Sequence, residues 1–393
     1  MSKRAAILDD GRPAAVAKQR AKGRWTARER VDALLDADSL TESGAFAEPL
    51  AAGLSAPADG VITGIGTVGG AAVAVVAYDY TALGGTQGQI SHRKLEHLFA
   101  AAARERCPVV IFAEGGGARW QELEPIPGGG TTSFVDLARL SRTVPVAAAI
   151  TGHAFAGHAN LAALCDLVVA TADATMGIGG PPLVEAALGV AATPQEIGPM
   201  SLHQRTGAVD LVVADDEAVL VALRRWLRLV TSSAAGDYKP KPVDGLRSVV
   251  PVNPRHAYDV RAVISLIADP DSIFEVRDRF AANVVTAFIE VGGLRAGVIA
   301  NQPRVLAGAI DSNGSDKMAR FISLCDALGV PILFLIDTPG FMVGAPAEQT
   351  ALVRHSARVL QTLAAAEVPI ISVVLRKAYG LAYYAMGSPP FGP

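Results

Sequence analysis

The amino-acid sequence contains one long internal repeat, and this repeat limits the folds that the chain can adopt. Glu114 ends an apolar run and leads into a glycine turn, and Asp337 does the same 223 positions later. Residues 143–157 (TVPVAAAITGHAFAG) align with residues 367–381 (EVPIISVVLRKAYGL) at an offset of 224. Because a repeat of this length far exceeds the units of solenoid proteins, it predicts two related domains. Each domain is expected to end a buried strand in a turn of exposed backbone amides.

The residue pattern within each half predicts strands that alternate with helices. Each half is expected to open with an amphipathic helix, residues 26–39 with a capping box of Thr26 and Glu29, and residues 258–272. A hairpin with a Gly-Gly turn, a helix and a buried strand are expected to follow. These elements fall at 61–80, 91–106 and 108–114 in the first half, and at 285–303, 316–329 and 331–337 in the second. Apolar strands alternating with helices are typical of parallel α/β layers.

The domain boundaries follow from the repeat. The predicted first domain is 1–231, and the predicted second domain is 258–393. Between them, residues 232–257 hold four prolines and little periodicity, which predicts a linker. Only 12 residues follow Leu381, so the second domain is expected to be incomplete at its C-terminus.

Composition argues against several classes of function. The net charge of −3 gives no reason to expect nucleic acid or an anionic membrane as a partner. No apolar run of membrane-spanning length is free of Gly, Pro or charge. Cys107, Cys165 and Cys325 are far apart and form no C-x-x-C pair, so we expect buried free thiols and no bound metal. Without a secretory signal, the reducing cytoplasm is the expected location.

Two turns of the first half carry the candidate chemistry, EGGGAR (114–119) and GHAFAG (152–157). Each follows a predicted buried strand and precedes a helical stretch, where amides have no intrahelical acceptor and lie at the positive end of the helix dipole. Two such amides that converge on one point would form an oxyanion hole, which can stabilise a thioester enolate. A single glycine turn more often only joins a strand to a helix, so the surrounding sequence has to decide.

The sequence around the second turn resembles a known superfamily. Residues 150–180 are similar to the core motif of the enoyl-CoA hydratase (crotonase) superfamily, in which a G-x-A-x-G-G-G turn opens a helix and L-A-x-x-C-D follows. Members bind acyl-CoA thioesters and hold the oxyanion with backbone amides. Here Ala156 replaces the middle glycine, Gly157 is kept, and His158 replaces the last glycine. We expect the side chain of His158 to narrow the pocket.

Nearly the whole of residues 22–388 resembles the carboxyltransferase (β) subunit of biotin-dependent acyl-CoA carboxylases, such as the propionyl-CoA, acetyl-CoA and methylcrotonyl-CoA enzymes. Matching stretches include TARERVDALLD, LGGTQGQ, GVIANQP, DKMARFISLCDALGVPILFLIDTPGFMVG and RKAYGLAYYAM. The order of ANQP, IDTPGF and RKAYG is particularly specific. The resemblance implies an α/β fold of two tandem crotonase-like (ClpP/crotonase) domains, the second truncated at its C-terminus.

The resemblance also implies a mechanism. The first half would bind acyl-CoA and the second carboxybiotin, which releases CO2 and whose ureido group then takes the α-carbon proton. No side chain is then needed as a base. The implied catalytic amides belong to Ala156 and Gly157 at the thioester oxygen, and to Leu381 and Ala382 at the biotin ureido oxygen. Residues implied to bind beside them are Gly116, Gly117, Gly340 and Gly380. Leu381 stands where the family commonly has glycine, which adds bulk but keeps the N–H.

Partners follow from the same resemblance. No A-M-K-M biotinylation site is present, and Lys317-Met318 lies within a helical pattern. Biotin is therefore expected on a separate carrier protein, together with a biotin carboxylase. In the family, the first half of one subunit meets the second half of another, which implies a homo-oligomer, either a dimer or a hexamer.

Three other functions stay open from the sequence. They are a biotin-dependent decarboxylase subunit, a truncated non-catalytic paralogue that serves assembly, and a CoA hydratase or isomerase using Glu122 and Glu124. Among single side chains, Arg119 is interpreted as ion-paired with Glu122. Glu114 and Asp337 are interpreted as caps of the adjacent turn amides.

Overall fold

The computed structural model describes residue 5 and residues 7–122, 130–231 and 244–388. Within these residues, contacts group into two units. The first comprises the described residues of Met1–Gln204 and Ala208–Thr231, and the second those of Arg205–Gly207 and Ser232–Pro393. The predicted boundaries themselves stay a prediction, because residues 232–243 of the predicted linker lie outside the described residues.

The first unit contains a mixed sheet. Its strands are β1 (Thr41–Ser43), β2 (Val61–Val68), β3 (Ala71–Tyr78), β4 (Val109–Phe112), β5 (Val146–Ile150), β6 (His153–Phe155), β7 (Leu167–Thr171), β8 (Thr175–Gly177) and β9 (Leu211–Val213). Among the described residues, seven of them form one sheet in the order β1-β2-β3-β4-β5-β7-β9, and β6 pairs with β8. β1, β2 and β3 pair antiparallel, and the connections from β3 onward are parallel. β4 and β5 are apolar and buried at every position, as expected for strands covered on both faces.

Helices surround this sheet in the sequence order. They are α1 (Pro13–Arg20), α2 (Ala27–Leu34), α3 (Gln89–Glu105), α4 (Ser133–Leu140), α5 (Gly157–Ala163), α6 (Pro181–Leu188), α7 (Pro194–Ile197), α8 (Met200–Thr206) and α9 (Asp216–Thr231). The predicted capping box of α2 is confirmed, because the Thr26 side chain accepts from the Glu29 N–H and the Glu29 carboxylate from the Thr26 N–H. α2 ends at Leu34, earlier than expected, because Leu35 has an extended backbone.

The second unit repeats the first part of this order. Its strands are β10 (Phe274–Val276), β11 (Val284–Val291), β12 (Leu294–Asn301), β13 (Ile332–Thr338) and β14 (Ile370–Ala378), paired in that order. Its helices are α10 (Leu246–Val249), α11 (Val260–Ile267), α12 (Ser312–Ala327), α13 (Ala345–Glu348), α14 (Leu352–Ala365) and α15 (Gly380–Ala385). Again the first two pairings are antiparallel and the next two parallel.

Both predicted hairpins are confirmed, and their turns share one design. Gly69 and Gly70 have positive φ angles of 57° and 79°, which favour glycine. The Asp36 carboxylate accepts a hydrogen bond from each of their N–H groups. The same arrangement recurs in the second unit at Gly292, Gly293 and Asp269. The turn chemistry thus fixes the register of β2 on β3 and of β11 on β12.

Each unit also encloses one lysine at the same repeat position. Lys94 donates its ammonium hydrogens to the backbone oxygens of Ala58 and Val61. Lys317, 223 positions later, donates to three backbone oxygens at 2.7–2.8 Å and is 1% exposed. These ammonium groups close the loops that precede β2 and β11, since buried carbonyl groups require donors.

Three further findings concern the described residues only. No helix in them combines the length and apolarity needed to cross a membrane. No cluster of three or more His, Cys, Asp or Glu side chains in them has the arrangement of a metal site. Cys107, Cys165 and Cys325 are free and buried, as predicted.

Candidate active-site turns

A residue with positive φ stands where β6 leads into α5 and where β14 leads into α15. Ala156 precedes α5 with φ of 51°, and Gly380, 224 positions later, begins α15 with φ of 61°. A side chain other than glycine is strained in this region of backbone space. Ala156 therefore carries a strain that Gly380 avoids, and both residues turn the chain sharply into a short helix.

The amides of the first elbow are not equivalent. The Ala156 N–H donates to the Gly177 backbone oxygen at 3.0 Å, so this predicted oxyanion donor is already engaged. The Gly157 N–H is the first of α5 and has no acceptor among the described residues. A Cβ on Gly157 would lie 2.0 Å from Gln87 Oε1, so only glycine fits there. Gly157 is thus the better donor of the two predicted catalytic residues.

The turn after β4 lies directly beside this elbow. The Gly115 N–H donates to the His153 oxygen at 2.7 Å, and the Phe155 N–H donates to the Gly115 oxygen at 3.0 Å. A Cβ on Gly117 would approach the Ala156 Cβ to 2.7 Å. The structure therefore brings the predicted residues 116 and 117 together with residues 156 and 157.

Within that turn, only Gly116 offers its amide. The Gly117 N–H donates to His158 Nδ1 at 3.2 Å. The Gly116 N–H has no acceptor among the described residues, and a Cβ there would meet only the Thr86 methyl group at 3.9 Å. The open space above Gly116 leaves room for a ligand to approach its backbone.

The second unit brings its predicted residues together in the same way. Thr338 at the end of β13 pairs with Ala378 at the end of β14, and the Tyr379 N–H donates to the Thr338 oxygen at 3.3 Å. A Cβ on Gly340 or on Gly380 would meet nothing within 4 Å, so space is open at both. The Gly340 N–H, however, donates to Thr338 Oγ1 at 3.2 Å.

Leu381 and Ala382 follow Gly380 in the first turn of α15 and differ in exposure. Leu381 is 53% exposed, whereas Ala382 is fully buried. First-turn amides of a helix lack intrahelical acceptors. The Leu381 side chain therefore points outward beside an available N–H, and it does not fill the turn.

Glu114 and Asp337 do not cap the turn amides, and that interpretation was wrong. Glu114 is 1% exposed and pairs with Arg30 at 2.6 Å and, more distantly, with Arg24 at 3.9 Å. Asp337 is fully buried and accepts from Arg376 Nε at 2.9 Å. Buried carboxylates are satisfied by cations because an unpaired buried charge is costly. Neither carboxylate is directed at the turn as a base.

Arg119 is held by carboxylates, as expected. Its guanidinium lies 2.5 Å from Asp59 and 2.9 Å from Glu122, and its side chain is 1% exposed. Glu122 is thereby engaged as well, and the Arg119 side chain contributes to the fold.

His158 is not where the sequence placed it. It does not narrow an open pocket; its ring is fully buried beneath the Gly115–Gly117 turn, edge-on to Tyr78 at a centroid distance of 4.3 Å. Burial lowers the pKa of His158 to about 3, so the ring is neutral near pH 7. Thr338 was not singled out at all from the sequence, although a threonine two residues before a turn glycine is a known local acceptor.

Comparison with known proteins decides the family. A model described as the carboxyl transferase domain matches residues 18–393. The chain belongs to the carboxyl transferase family. A carboxyl transferase enzyme related to acyl-CoA carboxylase β subunits is what the sequence motifs predicted, and at this level the prediction is confirmed.

Curated relatives of this carboxyl transferase cover most of it. The methylmalonyl-CoA carboxyltransferase 12S subunit of Propionibacterium freudenreichii subsp. shermanii is 37% identical over 94% of this chain and 73% of its own length. The propionyl-CoA carboxylase beta chain of Saccharopolyspora erythraea is 34% identical over 97% and 74%. The methylmalonyl-CoA decarboxylase subunit alpha of Veillonella parvula is 33% identical over 96% and 77%.

Solved structures agree with the mixed α/β fold of the carboxyl transferase. A single-chain, multi-domain long-chain acyl-CoA carboxylase superposes with a TM-score of 0.92 at 39% identity, covering 98% of this chain but 40% of that one. The transcarboxylase 12S hexamer with methylmalonyl-CoA and methylmalonic acid bound gives 0.93 at 35% identity, covering 99% and 79%.

Proposed function

We propose that this carboxyl transferase moves a carboxyl group between biotin on a separate carrier protein and the α-carbon of an acyl-CoA. The observation that carries the proposal is the pair of repeat-related turns, each with open backbone beside a positive-φ elbow, in a chain of this family. Relatives named for methylmalonyl-CoA and propionyl-CoA support a short-chain acyl-CoA as substrate.

The first unit is proposed to hold the acyl-CoA. The available N–H groups of Gly116 and Gly157 lie on adjacent turns, and both residues lack a side chain that would block a ligand. Donors fixed in advance at a developing negative charge stabilise an enolate without reorganising at the moment of reaction. Gly117 and Ala156 would support this site through backbone shape, because their own amides are engaged.

The second unit is proposed to hold biotin. The group fits, because Gly340 and Gly380 leave the space in front of their Cα atoms open, and Leu381 and Ala382 present first-turn amides of α15. Those two amides would hold the ureido oxygen. Carboxybiotin supplies CO2 and a ureido nitrogen that can accept the α-proton.

No side chain of this protein is needed as a general base in the proposed reaction. The two carboxylates nearest the turns, Glu114 and Asp337, are buried in ion pairs with Arg30 and Arg376. The protein's own contribution is to bind, orient and stabilise charge on two oxygens. An N–C bond breaks on one ligand, a C–C bond forms on the other, and the α-proton passes to the ureido nitrogen.

We further propose two tandem crotonase-like domains, a cytoplasmic location, and a homo-oligomer that works with a biotin carboxylase and a biotin carrier. Support for the oligomer comes from the printed description of the transcarboxylase 12S structure as a hexamer. The repeat and the two groups of contacts support the tandem domains.

The test is a carboxyl-transfer assay in both directions. Purified protein would be mixed with methylmalonyl-CoA and free biotin, and propionyl-CoA formation followed by chromatography. The forward arm would use a biotinylated carrier, biotin carboxylase, ATP, bicarbonate and propionyl-CoA. Absence of transfer in both arms, with acetyl-CoA and longer acyl-CoA esters also inactive, would contradict the proposal.

A second candidate is a decarboxylase subunit, favoured by the similarity to the methylmalonyl-CoA decarboxylase subunit alpha. It shares the same site and the opposite net direction. Turnover of methylmalonyl-CoA without any forward carboxylation, under matched conditions, would favour this candidate.

A further inference from the structure

One amide in each turn is held by a side chain, and the two side chains differ. Gly117 and Gly340 are 223 positions apart in the repeat, and both have positive φ, 94° and 132°. The Gly117 N–H donates to His158 Nδ1 and the Gly340 N–H to Thr338 Oγ1, each at 3.2 Å. Two chemically unlike acceptors therefore satisfy the same backbone position, which argues for a shared requirement at that amide.

In the first unit, the acceptor is fixed by its surroundings. His158 is fully buried and contacts Tyr78 edge-on. A Cβ on Gly115 would lie 2.5 Å from the Cε1 and Nε2 atoms of His158, so the turn is closed tightly over the ring. Because Nδ1 accepts a hydrogen bond, the proton of the neutral ring lies on Nε2.

In the second unit, the acceptor lies within the turn itself. Thr338 is fully buried at the end of β13. Its hydroxyl accepts from the Gly340 N–H and donates to the Gly340 oxygen, both at 3.2 Å. The hydroxyl thus fixes the two peptide planes that flank Gly340.

The remaining donors differ between the units. Gly116 precedes Gly117 and keeps an N–H without an acceptor among the described residues. The residue that precedes Gly340 is Pro339, which has no N–H. With Gly117 and Gly340 engaged, residues 116 and 117 offer one amide to a ligand, and residues 339 and 340 offer none.

We propose that His158 and Thr338 are positioning residues that occupy the N–H of the third turn residue and orient the turn. The inference rests on the proposed function for its catalytic consequence. In the first unit, His158 selects the Gly116 amide to act with Gly157. In the second, Thr338 leaves the donors of Leu381 and Ala382 to hold the ligand oxygen.

The experiment compares matched variants of the full chain. His158→Leu removes the acceptor at similar size, and His158→Asn keeps an oxygen near the position of Nδ1. Thr338→Val removes the hydroxyl without changing shape, and Thr338→Ser keeps it. Hydrogen–deuterium exchange by mass spectrometry would follow peptides that contain residues 115–119 and 338–342. Steady-state carboxyl transfer would be measured on the same samples.

We expect faster exchange at 115–119 in His158→Leu and at 338–342 in Thr338→Val, with Asn and Ser near wild type. We also expect kcat to fall at least about tenfold in the Leu and Val variants with little change in KM, since displaced donors act mainly in the transition state. Should His158→Leu fail to fold, the Thr338 pair still decides the question for the second turn.

Unchanged exchange in folded Leu and Val variants would overturn the positioning role, whatever the activity. Equal loss of kcat in the rescue variants would overturn it as well. If the wild-type chain transfers no carboxyl group, the proposed function fails separately, and the exchange data still decide whether the turns depend on these two acceptors.

Discussion

Glu114 and Asp337 end equivalent strands of the two units, but their cations come from different places. Arg30 on α2 reaches Glu114 from 84 positions away in sequence. Asp337 pairs with Arg376, which occupies the repeat position of Gly152. A Cβ on Gly152 would lie 2.1 Å from Glu114 Oε1, so the first unit has no room for an arginine there. The repeat thus preserves the backbone of the turn while different side chains satisfy the same buried charge.

The largest expected effect separates the two elbows by ligand. Gly157→Val should abolish acyl-CoA binding, because the new side chain meets Gln87 and Phe134 as well as the ligand. Gly380→Val and Gly340→Val project into open space and should lower transfer from carboxybiotin by about 100- to 1,000-fold while acyl-CoA still binds. Calorimetry with a CoA ester and the transfer assay would measure both, with circular dichroism as a check on folding. Loss of CoA binding in Gly380→Val would contradict the division between units.

Removing the two arginines should test the different charge partners. Arg30→Met leaves Glu114 and Asp216 buried without their shared cation and should cost about 3–5 kcal/mol of unfolding free energy. Arg376→Met should cost less, because Lys377 remains 3.7 Å from Asp337. Urea unfolding would compare them.

The matched carboxamides address chemistry instead of charge. Glu114→Gln and Asp337→Asn should lower stability more than turnover per folded molecule. Complete loss of turnover in a folded carboxamide variant would require a side-chain base and favour a hydratase-like reaction.

Acid should act on the first unit through His158, since Ala382 holds the equivalent position in the second. Its folded pKa of about 3 lies below its ordinary value of 6.5, so the unfolded state binds more protons between these values. Stability from this group is therefore complete above pH 6.5 and is lost as the pH falls toward 3, by about 2–3 kcal/mol at pH 4.5. Unfolding curves at pH 7 and 4.5 should differ less for His158→Asn than for wild type. An equal pH dependence in the two proteins would exclude this role.

The smallest expected effect concerns backbone strain at the elbows. Ala156→Gly should relieve the positive φ and change stability by at most about 1 kcal/mol, because the added flexibility of the unfolded chain offsets part of the gain. Gly380→Ala should introduce the same strain and destabilise by about 1 kcal/mol. Differential scanning calorimetry of both variants would check the signs, and two shifts of the same sign would break the equivalence of the elbows.

Local signals in the sequence predicted the fold well. Thr26 and Glu29 specify a helix start within four residues, and the Gly-Gly pairs specify hairpin turns between their own strands. The repeat and the family motifs also predicted which turns meet. The acceptors of the turn amides were missed, because a hydrogen bond from Gly117 to His158 spans 41 positions. The Arg30–Glu114 pair was missed for the same reason, since its geometry depends on how α2 packs in the folded unit.

The enclosed Lys317 has a practical consequence for biochemical reconstitution. Its ammonium group is bonded to backbone oxygens and hidden from solvent, so a biotin ligase or an amine-reactive reagent cannot modify it in the folded protein. The Lys317-Met318 pair therefore offers no handle for streptavidin. A streptavidin resin should retain a charged carrier and let this chain pass unless the two are bound together, which turns simple column retention into a measure of complex formation.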